Sequence, residues 1–174
     1  TQADNEIARH YQSHIRSKAT DDIAKVVKPF GSKLFMISYF LGGLSDASSH
    51  RKTLFGQWGE GAFRAVLVGA PLVFISQSAL GSDRPSEHLS SSHWHLFKSG
   101  HAVSGHAFLG SVSFLTAAMM SSNKWVRGSL YAASTLTALS RVNDDKHYFS
   151  QVLLGWFIGY KSVKAVMKTN GEQN

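Results

Sequence analysis

The stretch 98–108 reads Lys-Ser-Gly-His-Ala-Val-Ser-Gly-His-Ala-Phe, and only the second of its two Ser-Gly-His triplets opens a long apolar run. The run 107–120 predicts a buried helix, so Ser104 and Gly105 stand where that helix begins. Free backbone N–H groups and the positive end of the helix dipole favour an anion there. Gly105 lets a ligand approach the backbone, Ser104 adds a hydroxyl and His106 adds a proton donor. The stretch therefore indicates a phosphate site at a helix start.

The composition indicates one globular domain that meets anionic partners. The 174 residues are 43% hydrophobic and 17% charged, and the net charge is +7. Such a basic balance favours phosphorylated substrates or a membrane surface. Nucleic acid is not expected as a partner, because no zinc-finger, RNP-type or basic-region motif is present. The chain has no cysteine, which excludes disulfides and thiolate metal sites.

The apolar periodicity predicts an all-α fold, a single-domain bundle of about six to eight helices over residues 1–174. Polar helices are expected in 1–30, a long loop in 81–103 and a polar tail in 169–174. Gly42 and Gly43 are expected to end the third helix, and Pro71 to kink or split the fourth. The individual helices are predicted over 4–18, 23–27, 32–41, 57–80, 107–120, 124–139 and 147–168.

The apolar runs do not reach the roughly 18–20 residues that a membrane span needs. A mostly buried bundle is therefore predicted, with peripheral membrane attachment through basic patches left open. The lack of cysteine and a start at Thr1 rather than methionine favour an exported chain. We expect an extracytoplasmic, periplasmic location, either soluble or peripherally membrane-associated.

Three segments carry the residues that phosphoryl transfer to a protein nucleophile requires: 83–85, 104–106 and 140–147. Arginine guanidinium groups bind phosphate oxygens bidentately and stabilise transition-state charge. One imidazole can attack phosphorus while a second protonates the leaving oxygen. Each residue alone is more typical of a surface ion pair or a packed histidine. Their order, each at a helix end or in the long loop, favours phosphate chemistry.

These segments resemble the signature of the type 2 phosphatidic acid phosphatase superfamily, which also contains bacterial acid phosphatases and vanadium haloperoxidases. That signature is Lys-x6-Arg-Pro, Pro-Ser-Gly-His and Ser-Arg-x5-His-x3-Asp. The resemblance implies a helical bundle with the phosphate site at one end, and a reaction without a metal or other cofactor in which phosphate or vanadate can occupy the site. It implies that His147 is the nucleophile that forms a phosphohistidine and that His106 is the general acid. It assigns phosphate binding to Arg84, Arg141, Ser104 and Gly105.

Three positions depart from that signature. Gln77 stands in place of the lysine, Val103 in place of the proline and Gln151 in place of the aspartate. Lys98 could supply the charge that Gln77 lacks. Gln151 lies four residues after His147, on one helix face, and its carbonyl can accept the ring N–H without supplying charge. Asp144 or Asp145 could compensate for the missing charge.

The long loop also contains His93-Trp94-His95, but no carboxylate–histidine pattern with ligand spacing accompanies it, so a metal site is not expected. Trp94, Leu96 and Phe97 could contact a lipid chain or could pack the loop onto the bundle. We expect a phosphatase acting on phosphomonoesters, namely lipid phosphates or lipid-linked pyrophosphates. A small-molecule acid phosphatase and a weakened relative that binds anionic lipid or phosphate without turnover are the alternatives, and a haloperoxidase is a distant third. The oligomeric state is left open.

Overall fold

The computed structural model describes residues 2–49, 52–87, 96–97 and 100–171. These residues contain no β-strand, and the predicted all-α bundle is confirmed. In this described part the chain forms eight α-helices: α1 Gln2–His10, α2 Lys18–Val27, α3 Met36–Ser49, α4 Leu54–Leu80, α5 Gly105–Met120, α6 Lys124–Ala133, α7 Leu136–Asn143 and α8 Phe149–Gly171.

Helix α5 is the central helix of the bundle. It is apolar on nearly every face, which is typical of a helix surrounded by others. It packs against α4, α6, α7 and α8. Its side chains Phe108, Val112 and Leu115 are almost fully buried. Because the start of α5 carries Ser104 and Gly105, this packing fixes the second predicted phosphate segment relative to the three neighbouring helices α4, α7 and α8.

Glycines allow the closest helix crossings. A Cβ on Gly59 of α4 would lie 2.6 Å from the Tyr39 carbonyl oxygen and 2.7 Å from the Gly42 Cα of α3. The prediction that Gly42 ends the third helix is therefore wrong: α3 continues to Ser49, and Gly42 serves the α3–α4 crossing. At the other end of the bundle, Gly155 of α8 lies directly against the Ser104 carbonyl oxygen.

Several helix bounds differ from the sequence predictions for local reasons. The expected helix 4–18 breaks because Ser17 begins α2 as a capping box with Thr20. The expected helix 124–139 is divided at Ser134 and Thr135, whose hydroxyl groups donate to Tyr131 and Ala132 carbonyl oxygens of the preceding turn. Helix α4 is not split at Pro71. Helix α8 begins after His147 and includes 169–171, which were expected in the tail.

The prediction that no segment is long enough to span a membrane is wrong. Helix α4 is long and apolar enough to cross one, by length and composition, and only 22% of its apolar window is buried. Between Arg64 and Asp83 the sequence carries no charge. Phe74 and Ile75 are 68% and 60% exposed. One side of α4 therefore contributes Ala62, Ala65 and Val66 to the bundle core, whereas another side is apolar and exposed.

We expect Gly59→Ala to destabilise the fold by about 1–3 kcal/mol, because backbone atoms of α3 must move to admit the methyl group. Urea unfolding followed by circular dichroism measures the change. Gly128→Ala is the matched control: it lies in α6 with no heavy atom within 4 Å of the added Cβ, and should stabilise by up to about 1 kcal/mol. Equal effects of the two variants would contradict the crossing contact.

Candidate active site

Four helix ends meet at one end of the bundle: the end of α4, the start of α5, the end of α7 and the start of α8. The contacts that join them involve residues of all three predicted segments. Ser104 N–H donates to the Gln151 carbonyl oxygen at 3.0 Å. The Gln151 side chain reaches residues 82–83, next to Arg84. The charges of Arg84 and Arg141 both act on His147. Tertiary packing thus brings together residues that are separated by up to 69 positions in sequence.

The Gln151 side chain is buried and connects the first and third segments. Its Oε1 accepts from Tyr148 N–H at 3.0 Å and lies 3.0 Å from His147 Nδ1. Its Nε2 donates to the Asp83 carbonyl oxygen at 3.0 Å and to Ser82 Oγ at 3.2 Å. A backbone N–H can only donate and a backbone carbonyl can only accept, so these two partners fix the orientation of the amide.

This orientation determines the tautomer of His147. Because Gln151 Oε1 only accepts, His147 Nδ1 carries the proton and Nε2 keeps its lone pair. Burial lowers the pKa of His147, and the charges of Arg141, Arg84 and His101 lower it further; the hydrogen bond to Gln151 opposes them. The net effect lowers the pKa to about 4. His147 is therefore a neutral imidazole above that pH, with its second nitrogen available as a nucleophile.

The second segment is held by hydrogen bonds at the start of α5. Ser104 is fully buried, and its Oγ accepts from Ala107 N–H at 3.3 Å as the N-cap. Gln77 Nε2 donates to the Val103 carbonyl oxygen at 2.7 Å. A Cβ on Gly105 would meet only Gln77 Nε2, at 3.8 Å. Gln77 thus positions the turn before α5, and among the described residues no atom crowds the backbone at Gly105.

Arg141 lies in the last turn of α7 and is largely buried. Its Nη1 pairs with Asp144 Oδ2 at 3.2 Å, and the same oxygen pairs with Lys28 Nζ at 2.6 Å. Its Nε is buried and has no hydrogen-bond partner among the described residues. Burial lowers the pKa of Arg141; Asp144 opposes this and Arg84 adds to it. A buried guanidinium donor beside a second arginine is a feature that an anion would satisfy.

His106 lies in the first turn of α5, near the same cations. Burial lowers its pKa below 6.5, and the charges of Arg141 and Lys28 lower it further, although Asp144 opposes them. The two imidazoles therefore both lose their protons at lower pH than free histidine. The pKa of His147 is lowered to about 4, and its side chain is buried, whereas His106 is only half-buried. Burial therefore acts against the protonated ring more strongly at His147 than at His106.

Some residues that the sequence analysis named make other contacts than expected or lie outside the described residues. Asp144 was expected to compensate near His147, but its carboxylate pairs with Arg141 and Lys28. Lys98 lies outside the described residues, as do His93, Trp94 and His95. Within the described part of the chain no group of three or more histidines and carboxylates could hold a metal ion. Leu96 and Phe97 are exposed, and Phe97 N–H donates to the Ser78 carbonyl oxygen.

Sequence reasoning missed the site residues Ser82, Lys28 and His101, and it missed the role of the Asp83 carbonyl in the predicted segment 83–85. Ser82 and the Asp83 carbonyl bind the Gln151 amide, and Lys28 shares Asp144 with Arg141. His101 is close enough for its charge to affect His147. Of the three missed residues, only His101 carried a sequence signal, since it belongs to the first Ser-Gly-His triplet. Lys28 stands in a stretch whose pattern indicates only a helix end before Pro29.

Comparison with known proteins gives a family match. The family model described as the PAP2 superfamily matches residues 52–174, more than half of the chain. No curated protein and no solved structure matches the chain. The matched range includes all three segments and leaves the residues before 52 outside it.

We expect His147 to titrate with a pKa of about 4, and Gln151→Glu to raise that pKa by about one unit or more, because a carboxylate favours the imidazolium. The ring chemical shifts of His147, followed by NMR across acidic pH, measure it. Gln57→Glu makes the same charge change at an exposed position near the other end of α4. A pKa near 6.5 in the wild type, or equal shifts in both variants, would contradict the described environment of His147.

Proposed function

Because the chain belongs to the PAP2 superfamily, whose members are generally phosphoric ester hydrolases, we propose that it hydrolyses phosphomonoesters through a phosphohistidine on His147. The observation that carries this proposal is the bond between Gln151 Oε1 and His147 Nδ1 at 3.0 Å. It leaves the lone pair of Nε2 on a neutral ring, which is what a nucleophile requires. The buried Nε of Arg141 supports phosphate as the ligand.

The proposed reaction has two balanced steps and uses no metal ion. In the first, His147 Nε2 forms a bond to phosphorus, the bond to the leaving oxygen breaks, and protonated His106 gives that oxygen its proton. In the second, water attacks phosphorus, neutral His106 takes the water proton, and the N–P bond breaks to release phosphate. Arg84, Arg141 and the Gly105 N–H would stabilise the equatorial oxygens. Ser104 adds its hydroxyl if the phosphate reaches that buried position.

The protonation states set the pH range of this reaction. His147 must be neutral, which holds above its pKa of about 4. His106 must be protonated in the first step, and its pKa lies below 6.5. The fraction of molecules in the correct state is therefore largest in acid and falls toward neutral pH as His106 loses its proton. This range is typical of an acid phosphatase.

We expect phosphate release from alkyl and nitrophenyl phosphates above a pH of about 4, where His147 is neutral, and a decline toward neutral pH as His106 loses its proton. His147→Ala should lower kcat on the order of 10³-fold or more for both esters. His106→Asn should affect the alkyl ester much more than the nitrophenyl ester, because nitrophenolate leaves without a proton. Phosphate is measured colorimetrically over a pH series.

His14→Ala is the control for the two histidine variants, because His14 is exposed and stacks on His10 in the N-terminal region. It should leave kcat unchanged. An active His147→Ala protein would exclude this nucleophile. Vanadate binding without any turnover by the wild type would instead favour the alternative of a phosphate-binding relative that Gln77 and Gln151 have weakened.

We further propose that the substrate is presented at a membrane surface, in an extracytoplasmic, periplasmic location. Support comes from the net charge of +7 and the absence of cysteine, and from the exposed apolar face of α4. That face consists of Leu67, Val68, Leu72, Phe74 and Ile75. Phe97 is 78% exposed and is bonded to Ser78, one residue after Gln77. Apolar contact and positive charge together favour anionic lipid and therefore lipid phosphates or lipid-linked pyrophosphates as substrates.

We expect the protein to co-sediment with vesicles that contain phosphatidylglycerol, and less so at high salt, because salt screens the charge attraction. The double variant Phe74→Gln and Ile75→Gln should weaken binding, since the exposed apolar face of α4 is lost. Trp125→Gln is the control: Trp125 is 77% exposed on α6. An equal loss in the control, or no binding to any vesicle, would contradict the membrane proposal.

A further inference from the structure

The N-terminal segment 2–28 lies outside the matched range 52–174, yet its polar side chains bind the ends that carry Arg141 and His147. Gln12 makes the first of these contacts. Its Nε2 donates to the Val142 carbonyl oxygen at 2.9 Å and to the Asn143 carbonyl oxygen at 3.3 Å. Carbonyl groups at the end of a helix have no partner within the helix. Gln12 therefore fixes the last turn of α7, where Arg141 lies.

The Asn143 side chain makes the second contact. It is 1% exposed. Its Nδ2 donates to Asp21 Oδ1 at 2.7 Å, and its Oδ1 accepts from Tyr11 O–H at 3.3 Å. Both partners belong to the N-terminal segment, so the buried amide two residues after Arg141 is satisfied by groups more than a hundred residues away in sequence. Loss of either partner would leave a buried polar atom unpaired, which favours movement of this turn.

Lys28 and Asp4 extend the same arrangement. Lys28 Nζ lies 2.6 Å from Asp144 Oδ2, the oxygen that also holds Arg141. Asp4 is buried, and its carboxylate accepts from Ser150 N–H at 3.0 Å and from Ser150 Oγ at 2.8 Å. Ser150 is in the first turn of α8, between His147 and Gln151. Burial alone would raise the pKa of Asp4, but the Ser150 hydrogen bonds lower it below 3.8, so the carboxylate stays charged at the start of the helix.

We propose that the N-terminal segment is a positioning element of the active site, which sets Arg141 and His147 at the separation that the phosphoryl group requires. This inference rests on the proposed function. Its contacts reach the end of α7 and the start of α8, the two ends that supply the guanidinium and the nucleophile. A displacement of about 1 Å at either end can lower a rate on the order of 10²-fold. The residues Tyr11, Gln12 and Asp21 act through other residues and touch no reacting atom.

Two neighbouring carboxylates of α2 provide a matched test in the full-length chain. Asp21 binds Asn143, whereas Asp22 binds only Lys18 and Lys25 on the surface among the contacts described. We expect Asp21→Ala and Gln12→Met each to lower kcat about tenfold or more, with a smaller change in KM. Vanadate, which imitates the five-coordinate phosphorus, should lose affinity by a similar factor. Asp22→Ala should change neither quantity, and Asp21→Asn, which keeps an acceptor oxygen, should retain most activity.

The rates are divided by the folded fraction measured by circular dichroism, so a loss of stability alone does not lower them. Unchanged kcat and vanadate affinity in Asp21→Ala and Gln12→Met would overturn the inference, as would equal losses in Asp22→Ala. If the wild type turns over substrate and either of these two results is found, the positioning role is overturned but the proposed function is not. If the wild type binds vanadate but does not turn over substrate, the vanadate affinities of the variants test the positioning role. Weaker binding by Asp21→Ala and Gln12→Met, but not by Asp22→Ala, would support it, and unchanged binding would overturn it. A wild type that does neither would overturn the proposed function and this inference with it.

Discussion

The end of the molecule that carries the candidate site depends on the hydrogen bonds of one buried amide. The Gln151 side chain uses Oε1 for His147 and Tyr148 and Nε2 for Ser82 and Asp83, while its backbone carbonyl accepts from Ser104. All three segments are therefore held through one residue. An aspartate at this position would accept a hydrogen bond from the His147 N–H and would add negative charge. It would have no N–H group to donate to the Asp83 carbonyl oxygen. Gln151 therefore does not stabilise the imidazolium by charge, but its amide connects the segment of His147 to the segment of Asp83.

That exchange has an electrostatic consequence for the two histidines. Cationic side chains surround them, and neither has a carboxylate as its direct partner among the contacts described. Burial and positive charge both act against the protonated ring, so the pKa values of His106 and His147 are lowered. Asp144, which pairs with Arg141 and Lys28, opposes this lowering for His106. His147 is therefore neutral above a pH of about 4, and in the reaction that we propose the rate depends on how much of His106 is protonated.

The helices reach this arrangement because small residues stand where their ends approach. Gly155 lets α8 lie against the Ser104 carbonyl, and Gly59 with Gly42 does the same for α3 and α4. The α3–α4 crossing leaves one side of α4 without any covering helix in the described part of the chain, although that side is strongly apolar. The same packing that builds the site thus produces the surface that we associate with a membrane.

The sequence alone determined the fold class and the family, because a helical period and three ordered motifs are local properties of the chain. It also identified Gln77 and Gln151 as departures, since each occupies a fixed spacing from Arg84 or His147. It could not determine what those glutamines bind, because Val103, Ser82 and Asp83 become neighbours only when α4, α5 and α8 pack. Two helix ends were predicted wrongly. Gly42 lies within α3 because it packs against α4, and Ser17 begins a new helix as its N-cap.

Tertiary structure alone decided the contacts that the N-terminal segment makes with the ends of α7 and α8. These are the contacts of Lys28, Asp21 and Asp4. Nothing in their local sequence distinguishes them from the charges of any polar helix, and Asp22 beside Asp21 has the same side chain and only surface partners among the contacts described. The sequence could not show that one side of α4 is exposed, for the same reason. An apolar run has the same composition whether a protein core or another surface covers it, and only the arrangement of the neighbouring helices decides between them.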